Sequence, residues 1–592
     1  MERSEVQPEG LWNVEALYPS AEEWNKDFNS CSKDKTWEEL QAFRGRLEES
    51  AATVLKATKL YLDLEQRVGK IYIYASLRRD EDLGDSERTD RFQRAASLEH
   101  RLSQETAFLA PELLELSEEK LRQLLQDPSL APYKFYLEKI VRLKKHTLGS
   151  AEEKLLAAAA LPLDAASRAF GSFNNADLHF PDTIDAVGKP HPLTHGTYQT
   201  YMESHDRTLR KNSFQTMLTS YAAWENTLAE LIHGEMQKHL FFAKARNFSS
   251  CLDAALFPHA IDPAVYRQLI ATTRKNLPTL HAYFALRKKI MKLDELHLYD
   301  LRVPLIQHAW PFDFDAAAHL TLDAVAPLGK PYQETLRQGL LANRWVDRYE
   351  TPRKRSGAYS SGRYGTFPYI LLNYQGRFSD MKTLAHEAGH SMHSYLSWKT
   401  QAYHDASYPI FLAEVASTFH EELVQRLLLE RAKTREEKIF LLTQKIEDIR
   451  NTFVRQVMFA EFELAMHTAV ENSIPLTHAY LKSTYLELNR DYFGSPITLD
   501  PEIAMEWARI PHFYYNFYVY QYATGIAAAH ALVDTVLANG PEAYLRFLSS
   551  GGSKFPLDTL KLAGVDMTTS APIEATFKQL GLLTSELEKL LH

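Results

Sequence analysis

The stretch that decides the fold and the chemistry of this chain is His386-Glu387-Ala388-Gly389-His390. It has the pattern H-E-x-x-H, and residues four apart lie on the same face of a helix, so both imidazoles can reach one ion. Ser379 and Asp380 are suitable N-cap residues for such a helix. Apolar residues then recur at helical spacing, at Met381, Leu384, Ala385, Ala388, Met392 and Leu396. The sequence predicts a helix that presents two histidines to a metal.

The third metal ligand is expected downstream. A catalytic zinc site takes three protein ligands and keeps one position for water. The helical stretch 409–422 offers Glu414, Glu421 and Glu422. Glu414 has apolar neighbours, where a carboxylate is costly to bury unless it is paired or bound to a metal. We therefore favour Glu414 as the ligand, and Glu421 as an acceptor for the far nitrogen of a ligand histidine.

Glu387 follows the first histidine directly and can lie beside the water as the general base. The ion is expected to be Zn²⁺, one per chain. Two imidazoles and a carboxylate also bind manganese or cobalt, so the residues leave the identity of the ion open.

Several long motifs around this stretch resemble oligoendopeptidase F, a family within the thimet-oligopeptidase-like zinc peptidases. The resemblance runs nearly end to end. Its motifs are Trp12–Pro19, Lys354–Tyr359, Pro368–Gly376, Leu384–Ser391, Pro409–Phe419, Pro511–Gly525 and Ser550–Pro556.

The resemblance implies a mainly α, multi-lobed, clam-like zinc peptidase with a deep central channel and a small β-sheet beside the H-E-x-x-H helix. It also implies that His386, His390 and Glu414 bind zinc, that Glu387 is the base, and that short peptides are the substrates. The expected activity is hydrolysis of internal peptide bonds by a zinc-bound water.

Composition narrows the class of protein. The 592 residues carry a formal net charge of −9, which argues against general nucleic-acid binding. No apolar run is long enough to predict a membrane span. Cys31 and Cys251 are far apart in sequence, which does not indicate a disulfide framework. With no apolar signal-like segment near Met1, the expected location is the cytoplasm. The oligomeric state is not indicated.

The helical pattern breaks between residues 177 and 192, where His179-Phe-Pro-Asp and Gly188-Lys-Pro-His-Pro occur. We place a boundary near Thr194. Residues 1–194 are predicted to form an N-terminal helical lobe that covers the cleft, and residues 195–592 the zinc peptidase region.

Residues 356–378 are the least helical part of the chain. Thr366–Gln375 is predicted to be a strand, and Pro368 suits an edge or the start of that strand. An edge strand beside the zinc helix can pair with an extended peptide without reading its sequence. We therefore predict a mobile flap over 357–365, with Gly357 and Tyr359 in contact with substrate.

A cluster of aromatic residues lies between His512 and Tyr522. In the wider zinc-peptidase group, a histidine followed about ten residues later by a tyrosine stabilises the oxyanion, and His512 and Tyr522 match that spacing. A helix beginning at Pro511 would place Tyr515 on the same stripe. Tyr515 is a weaker catalytic candidate, and Tyr518 a candidate for substrate binding. Some of these rings are expected to fill the core.

Two other functions compete with the endopeptidase. One is a zinc exopeptidase of dipeptidyl- or carboxypeptidase type, in which Arg355, Arg363 or Arg509 would hold a peptide terminus. The other is a helical protein without catalytic activity and with a structural zinc, which would need a fourth protein ligand and no bound water.

Overall fold

The protein is mainly helical, which confirms the predicted fold class. The computed structural model describes residues 1–306 and 310–591, with the side chain of residue 150 excepted. Within these residues, no helix combines the length and the apolar composition that crossing a membrane requires.

The α-helices are numbered in chain order. Helices α1 to α9 are Ala21–Ser32, Thr36–Gln41, Ala51–Asp80, Ser86–Thr106, Leu109–Glu115, Glu118–Gln126, Lys134–Val141, Ser150–Leu163 and Ala165–Ser172. Helices α10 to α16 are His195–Met202, Arg207–Ala222, Glu225–Ala245, Cys251–Leu256, Pro263–Ile290, Phe314–Ala324 and Lys330–Arg337. Helices α17 to α25 are Phe378–Thr400, Ile410–Arg431, Arg435–Asp448, Arg455–Glu471, His478–Phe493, Tyr520–Asn539, Glu542–Ser549, Pro556–Leu562 and Ala571–Leu591.

Short strands and non-α helical turns complete the chain. Strands β1 to β7 are Thr183–Ile184, Pro190–His191, Leu296–His297, Val346–Tyr349, Tyr359–Ser361, Tyr369–Tyr374 and Ile497–Thr498. Two 3₁₀ segments, Pro501–Arg509 and Pro511–Tyr514, and a π-helical turn, Ile449–Val454, bear on the site and the cavity described below.

Contacts within the chain group it into two compact units, each built from three separate segments. The first unit comprises Met1–Thr147, Ala309–Val424 and Leu532–Val565, and the second comprises Leu148–His308, Gln425–Ala531 and Asp566–His592. Thr194, at the predicted boundary, is the N-cap of α10 and accepts a hydrogen bond from the Thr197 amide. The division into 1–194 and 195–592 stays a prediction.

The sheet next to the H-E-x-x-H helix has the strand order β4-β6-β5, with β4 parallel and β5 antiparallel to β6. The edge position predicted for the strand within 366–375 is wrong, because β6 lies in the centre. The alternative position for Pro368, at the start of the strand, is confirmed, because β6 begins at Tyr369. Residues 369–372 are at most 1% exposed, as expected of a strand covered on both faces. The outer strand on one side is β5, at Tyr359–Ser361, inside the predicted flap.

Helices α17 and α18 meet at Gly389. A Cβ atom added to Gly389 would lie 2.5 Å from the Ala416 carbonyl oxygen and 2.7 Å from the Ser417 Cα. Both are backbone atoms, so they cannot move aside as a flexible side chain would. The glycine in the middle of α17 therefore permits the close approach of the two helices that carry the predicted ligands.

We expect Gly389→Ala to lower the free energy of unfolding by about 1–3 kcal/mol, because overpacking against fixed backbone forces the two helices apart. Chemical denaturation of both proteins measures the difference. Gly234→Ala in α12 is the matched control, since its Cβ would make an ordinary 3.5 Å contact with Ala166. The control should be neutral or more stable by up to about 1 kcal/mol. Equal effects in the two variants would contradict the packing argument.

Candidate functional site

His386, His390 and Glu414 bring three possible metal-ligand atoms within 4.8 Å of one another. The Nε2 atoms of the two histidines are 3.2 Å apart. Glu414 Oε2 lies 3.6 Å from His386 Nε2 and 3.8 Å from His390 Nε2. All three atoms can therefore lie about 2 Å from one ion, which is the length of a zinc–nitrogen or zinc–oxygen bond. Ser417 donates a 3.1 Å hydrogen bond to Glu414 Oε2.

The helix that carries the two histidines runs as predicted, although its N-terminus differs. α17 begins at Phe378 with Arg377 at the N-cap, rather than with Ser379 or Asp380. Asp380 is the third helical residue, and its carboxylate accepts hydrogen bonds from the amides of Gln375 and Arg377. It therefore supports the helix N-terminus from within the first turn rather than as the cap.

Glu421 makes the contact expected of it. Its Oε1 lies 2.6 Å from His386 Nδ1, on the side of the ring opposite the ligand nitrogen. Lys382 Nζ lies 3.5 Å from the other carboxylate oxygen. Burial alone would lower the pKa of His386, but the Glu421 carboxylate raises it to about 9. The contact fixes the ring and its tautomer, leaving Nε2 toward Glu414 and His390.

Glu387 is buried, with 6% of its surface exposed. Burial, opposed by the His386 charge and assisted by Glu414, raises the pKa of this carboxyl to about 7. A hydrogen bond from the backbone of Ser360 in β5 lowers the pKa of Glu387, but by less than burial raises it. A carboxyl that exchanges a proton near neutral pH, next to a cluster of metal-ligand atoms, has the properties of a general base.

His393 lies on the same helix face as His386 and His390, but its ring packs in the core. Its ring is fully buried and stacks on Tyr408 with centroids 3.6 Å apart. Burial lowers the pKa of His393 to about 3, so the ring is neutral. It does not belong to the group of three ligand atoms found among the described residues.

Two of the three residues predicted to contact substrate lie near the start of β5: Tyr359 is its first residue, and Gly357 lies two residues before it. Gly357 has φ of +83°, and its carbonyl accepts a 2.8 Å hydrogen bond from the Asn373 amide group. The Tyr359 hydroxyl donates to Asp80 Oδ2 at 2.8 Å. Both contacts lie within the first unit, so the predicted flap is attached to β6 and α3 at these points, and Tyr359 would meet a peptide through its backbone.

The segment from Pro511 to Tyr522 is not one helix, so the stripe predicted from a helix beginning at Pro511 is wrong. A 3₁₀ turn covers Pro511–Tyr514, and α22 begins only at Tyr520. Between them, Asn516 and Phe517 have φ of +46° and +59°, a left-handed conformation that interrupts a helix. Glu463, buried in α20, accepts a 2.5 Å hydrogen bond from the Phe517 amide.

The irregular turn nevertheless brings the predicted rings together within the second unit. The Tyr522 hydroxyl lies 3.4 Å from His512 Nε2. The His512 ring is 5.6 Å from the Tyr515 ring and 6.1 Å from that of Tyr518, between centroids. Burial lowers the pKa of His512, so a neutral imidazole is favoured. The cluster offers neutral N–H and O–H donors. Tyr514 and Tyr520 are core residues, with Tyr514 stacked on Phe170.

Sequence reasoning missed several supporting residues. Lys382 lies four residues before His386, so the helical spacing alone would have placed it on the same face. Ser360 contacts Glu387 through its backbone, for which a sequence carries no residue-type signal. Glu463 is a carboxylate among apolar residues of α20, the same signal that singled out Glu414.

The chain is similar to known peptidases over most of its length. The family model for Peptidase family M3 matches residues 200–579, and the model for Oligopeptidase F matches residues 112–180. Oligopeptidase PepF of Bacillus subtilis is 42% identical over 100% of this chain and 88% of its own length. Group B oligopeptidase PepB of Streptococcus agalactiae is 37% identical over 99% of this chain and 98% of its own.

Solved structures show the same fold. A crystal structure of a peptidase from Chlamydophila abortus has a TM-score of 0.94 and 43% identity, covering 100% of this chain and 99% of that one. Oligoendopeptidase-F from Enterococcus faecium has a TM-score of 0.74 and 34% identity, covering 96% and 99%. With a family match over most of its length and relatives at this identity, the chain belongs to peptidase family M3 and is a metallopeptidase.

Proposed function

We propose that this protein is a zinc-dependent endopeptidase that hydrolyses internal bonds of short oligopeptides. The observation that carries the proposal is the group formed by His386, His390 and Glu414, with the buried carboxyl of Glu387 beside it. The relatives named oligopeptidases and oligoendopeptidases support the substrate class. The two cysteines are both buried and unpaired, consistent with the predicted cytoplasmic location.

The donor set fits zinc. Two imidazole nitrogens and one carboxylate oxygen are the ligands of many catalytic zinc sites, and three ligands leave a position open. When bound, zinc lowers the pKa of a coordinated water and polarises the scissile carbonyl. Among the described residues, His386, His390 and Glu414 form a group of three, so the structural-zinc alternative lacks its fourth ligand there.

The protein's own residues move the proton and stabilise the charge. Glu387 takes a proton from the attacking water and delivers it to the leaving amine, which its pKa near neutrality allows. We propose that Tyr522, assisted by His512, donates a hydrogen bond to the carbonyl oxygen as it becomes negative. Tyr515 is the alternative donor, and its side chain is about half exposed, at 53%.

We further propose that an extended peptide pairs with β5, whose residues Tyr359–Ser361 form an outer strand of the three-stranded sheet. Pairing through the backbone gives affinity with little dependence on sequence. Gly357 lies just before this strand, and Tyr518 would contact substrate from the tyrosine cluster. Of the arginines considered for an exopeptidase, Arg355 pairs with Asp80 at 3.0 Å and Arg363 with Glu99 at 3.8 Å.

A peptide of about ten residues with both ends blocked tests the proposal. We expect cleavage at an internal bond, detected by mass spectrometry, because an endopeptidase needs neither terminus. Removal of the metal with a chelator should abolish cleavage, and added Zn²⁺ should restore it. Cleavage of the unblocked peptide alone would instead support the exopeptidase, and no cleavage of either would support the non-catalytic alternative.

Glu387→Gln is the matched variant for this experiment. It keeps the size of the side chain but removes the base, so we expect turnover to fall by about 10²–10⁴-fold. The metal content, measured by atomic emission, should stay at one ion per chain, because Glu387 is not a ligand. A variant with both its zinc and normal turnover would refute the assigned role.

We expect Tyr522→Phe to lower kcat by about 10²–10³-fold with little change in KM, because the hydroxyl acts only on the developing charge. Steady-state kinetics of the blocked peptide measures both constants. Tyr514→Phe is the control, since Tyr514 lies in the core stacked on Phe170. Similar losses in Tyr515→Phe and none in Tyr522→Phe would transfer the role to Tyr515.

We expect Glu421→Gln to weaken zinc binding by about 10–100-fold, because the charged acceptor of the His386 Nδ1 proton is lost. Competition with a zinc-binding dye measures the affinity. Glu430→Gln, farther along the same helix, serves as the charge-matched control. An unchanged zinc affinity in Glu421→Gln would show that Glu421 does not orient the His386 ring for metal binding.

A further inference from the structure

Four arginines line a small cavity in the second unit, and none of its lining residues is a proposed metal ligand or base. The cavity has a volume of about 40 Å³. Its guanidinium groups belong to Arg302, Arg450, Arg455 and Arg509, and Glu506 is the one carboxylate among the lining residues that the structure describes. Positive charges at a partly buried cavity are costly unless negative groups balance them.

Two of the four arginines form ion pairs with carboxylates, Arg450 with Glu447 and Arg455 with Glu506. Arg450 donates from Nε and Nη2 to Glu447 Oε2, at 2.9 and 2.5 Å. Arg455 Nη2 lies 2.5 Å from Glu506 Oε1, and the other oxygen of Glu506 accepts a 2.7 Å hydrogen bond from the Tyr485 hydroxyl. Glu506 therefore has little capacity left for another guanidinium.

Arg302 and Arg509 remain. Arg509 Nη1 is 4.0 Å from Glu506, its Cζ lies 4.9 Å over the Tyr198 ring, and its buried Nε has no hydrogen-bond partner among the described residues. Burial and the nearby arginines lower the pKa of Arg302. Partial burial raises the pKa of Glu203, and the Arg302 charge opposes that shift. Counting Glu203 with Glu447 and Glu506, the four arginines still exceed the carboxylates.

We propose that this cavity binds one small oxyanion group, a carboxylate or a phosphate, through Arg302 and Arg509. A guanidinium offers parallel N–H donors that match two oxygens of such a group. A volume of about 40 Å³ admits a group of a few atoms and excludes a whole peptide. An apolar ligand would leave the charges unpaired, and a cation would be repelled.

The position of the cavity in the fold supports a ligand site. Arg450 lies within the π-helical turn Ile449–Val454 and Arg455 directly follows it. Single π-helical turns occur frequently at functional sites. Arg509 is three residues before His512, at the end of the 3₁₀ segment Pro501–Arg509. The oxyanion has two possible sources, a free anion or the C-terminal carboxylate of a peptide, and the inference does not depend on the proposed peptidase activity.

Thermal unfolding of the full chain tests the site with sulfate as the probe. We expect sodium sulfate to raise the Tm saturably by several degrees above sodium chloride of the same ionic strength. Arg302→Gln should lose this sulfate-specific increment. At low salt, the same variant should unfold at the wild-type temperature or above it, because the substitution removes a repelled charge. If Arg302 instead formed a stabilising ion pair, Arg302→Gln would unfold at a lower temperature than the wild type.

Arg267→Gln is the control, since Arg267 is exposed on α14 of the same unit. It should keep the full response to sulfate. Arg302→Lys keeps the charge but not the paired donors, and its apparent sulfate affinity should fall about tenfold. If Arg302→Gln does not fold, Arg509→Gln is measured in the same way. An equal response to sulfate and chloride in the wild type, or an unchanged sulfate response in both glutamine variants, would overturn the proposal.

Peptide kinetics then separate the two sources. If the cavity holds a substrate carboxylate, sulfate should raise the KM of a peptide with a free C-terminus and leave that of the amidated peptide unchanged. If it holds a free anion, the two peptides should respond alike. This experiment is done once thermal unfolding has shown that the cavity binds sulfate, and each of the two results identifies the source of the oxyanion. A crystal grown with selenate should show an anomalous scattering peak between Arg302 and Arg509, and a peak only elsewhere would count against the site.

Discussion

The close contact between α17 and α18 at Gly389 is the constraint on which the candidate metal centre depends. The missing Cβ lets the Ala416 carbonyl and the Ser417 Cα approach the middle of α17. Glu414 lies two residues before Ala416, so this approach brings its carboxylate within 3.6–3.8 Å of two histidine nitrogens. A larger residue would separate the histidines from the third donor. The glycine thus links helix packing to the chemistry of the centre.

Much of this centre could be predicted from the sequence because its signals are local. The spacing of His386 and His390 needs only one helical turn, and Glu414 and Glu421 stand out as carboxylates seven residues apart on one helix. These spacings lie within a single helix, so the helical period predicts which of the side chains share a face. The contact of Glu421 with His386 then follows from the same close packing of the two helices.

Other features were out of reach because they depend on the tertiary fold. The order β4-β6-β5 places in the centre a strand that its proline suggested for an edge, and strand order is not written in the residues of one strand. Asn516 and Phe517 are both left-handed, and although asparagine adopts that conformation fairly often, phenylalanine rarely does, so the residues alone do not indicate this turn. Packing around Glu463 and His467 overrides the local preference, since Phe517 stacks on His467 with centroids 4.2 Å apart.

The left-handed turn at Asn516 and Phe517 limits which residues these two positions can hold. Left-handed conformations at Asn516 and Phe517 cost free energy, on the order of 1 kcal/mol or more for a bulky residue. Glycine at position 517 would relieve this cost but would lose the ring that rests on His467. Relief of the backbone strain and preservation of the ring contact therefore favour different residues at this position. A substitution at position 517 thus changes backbone strain and a buried ring contact at the same time.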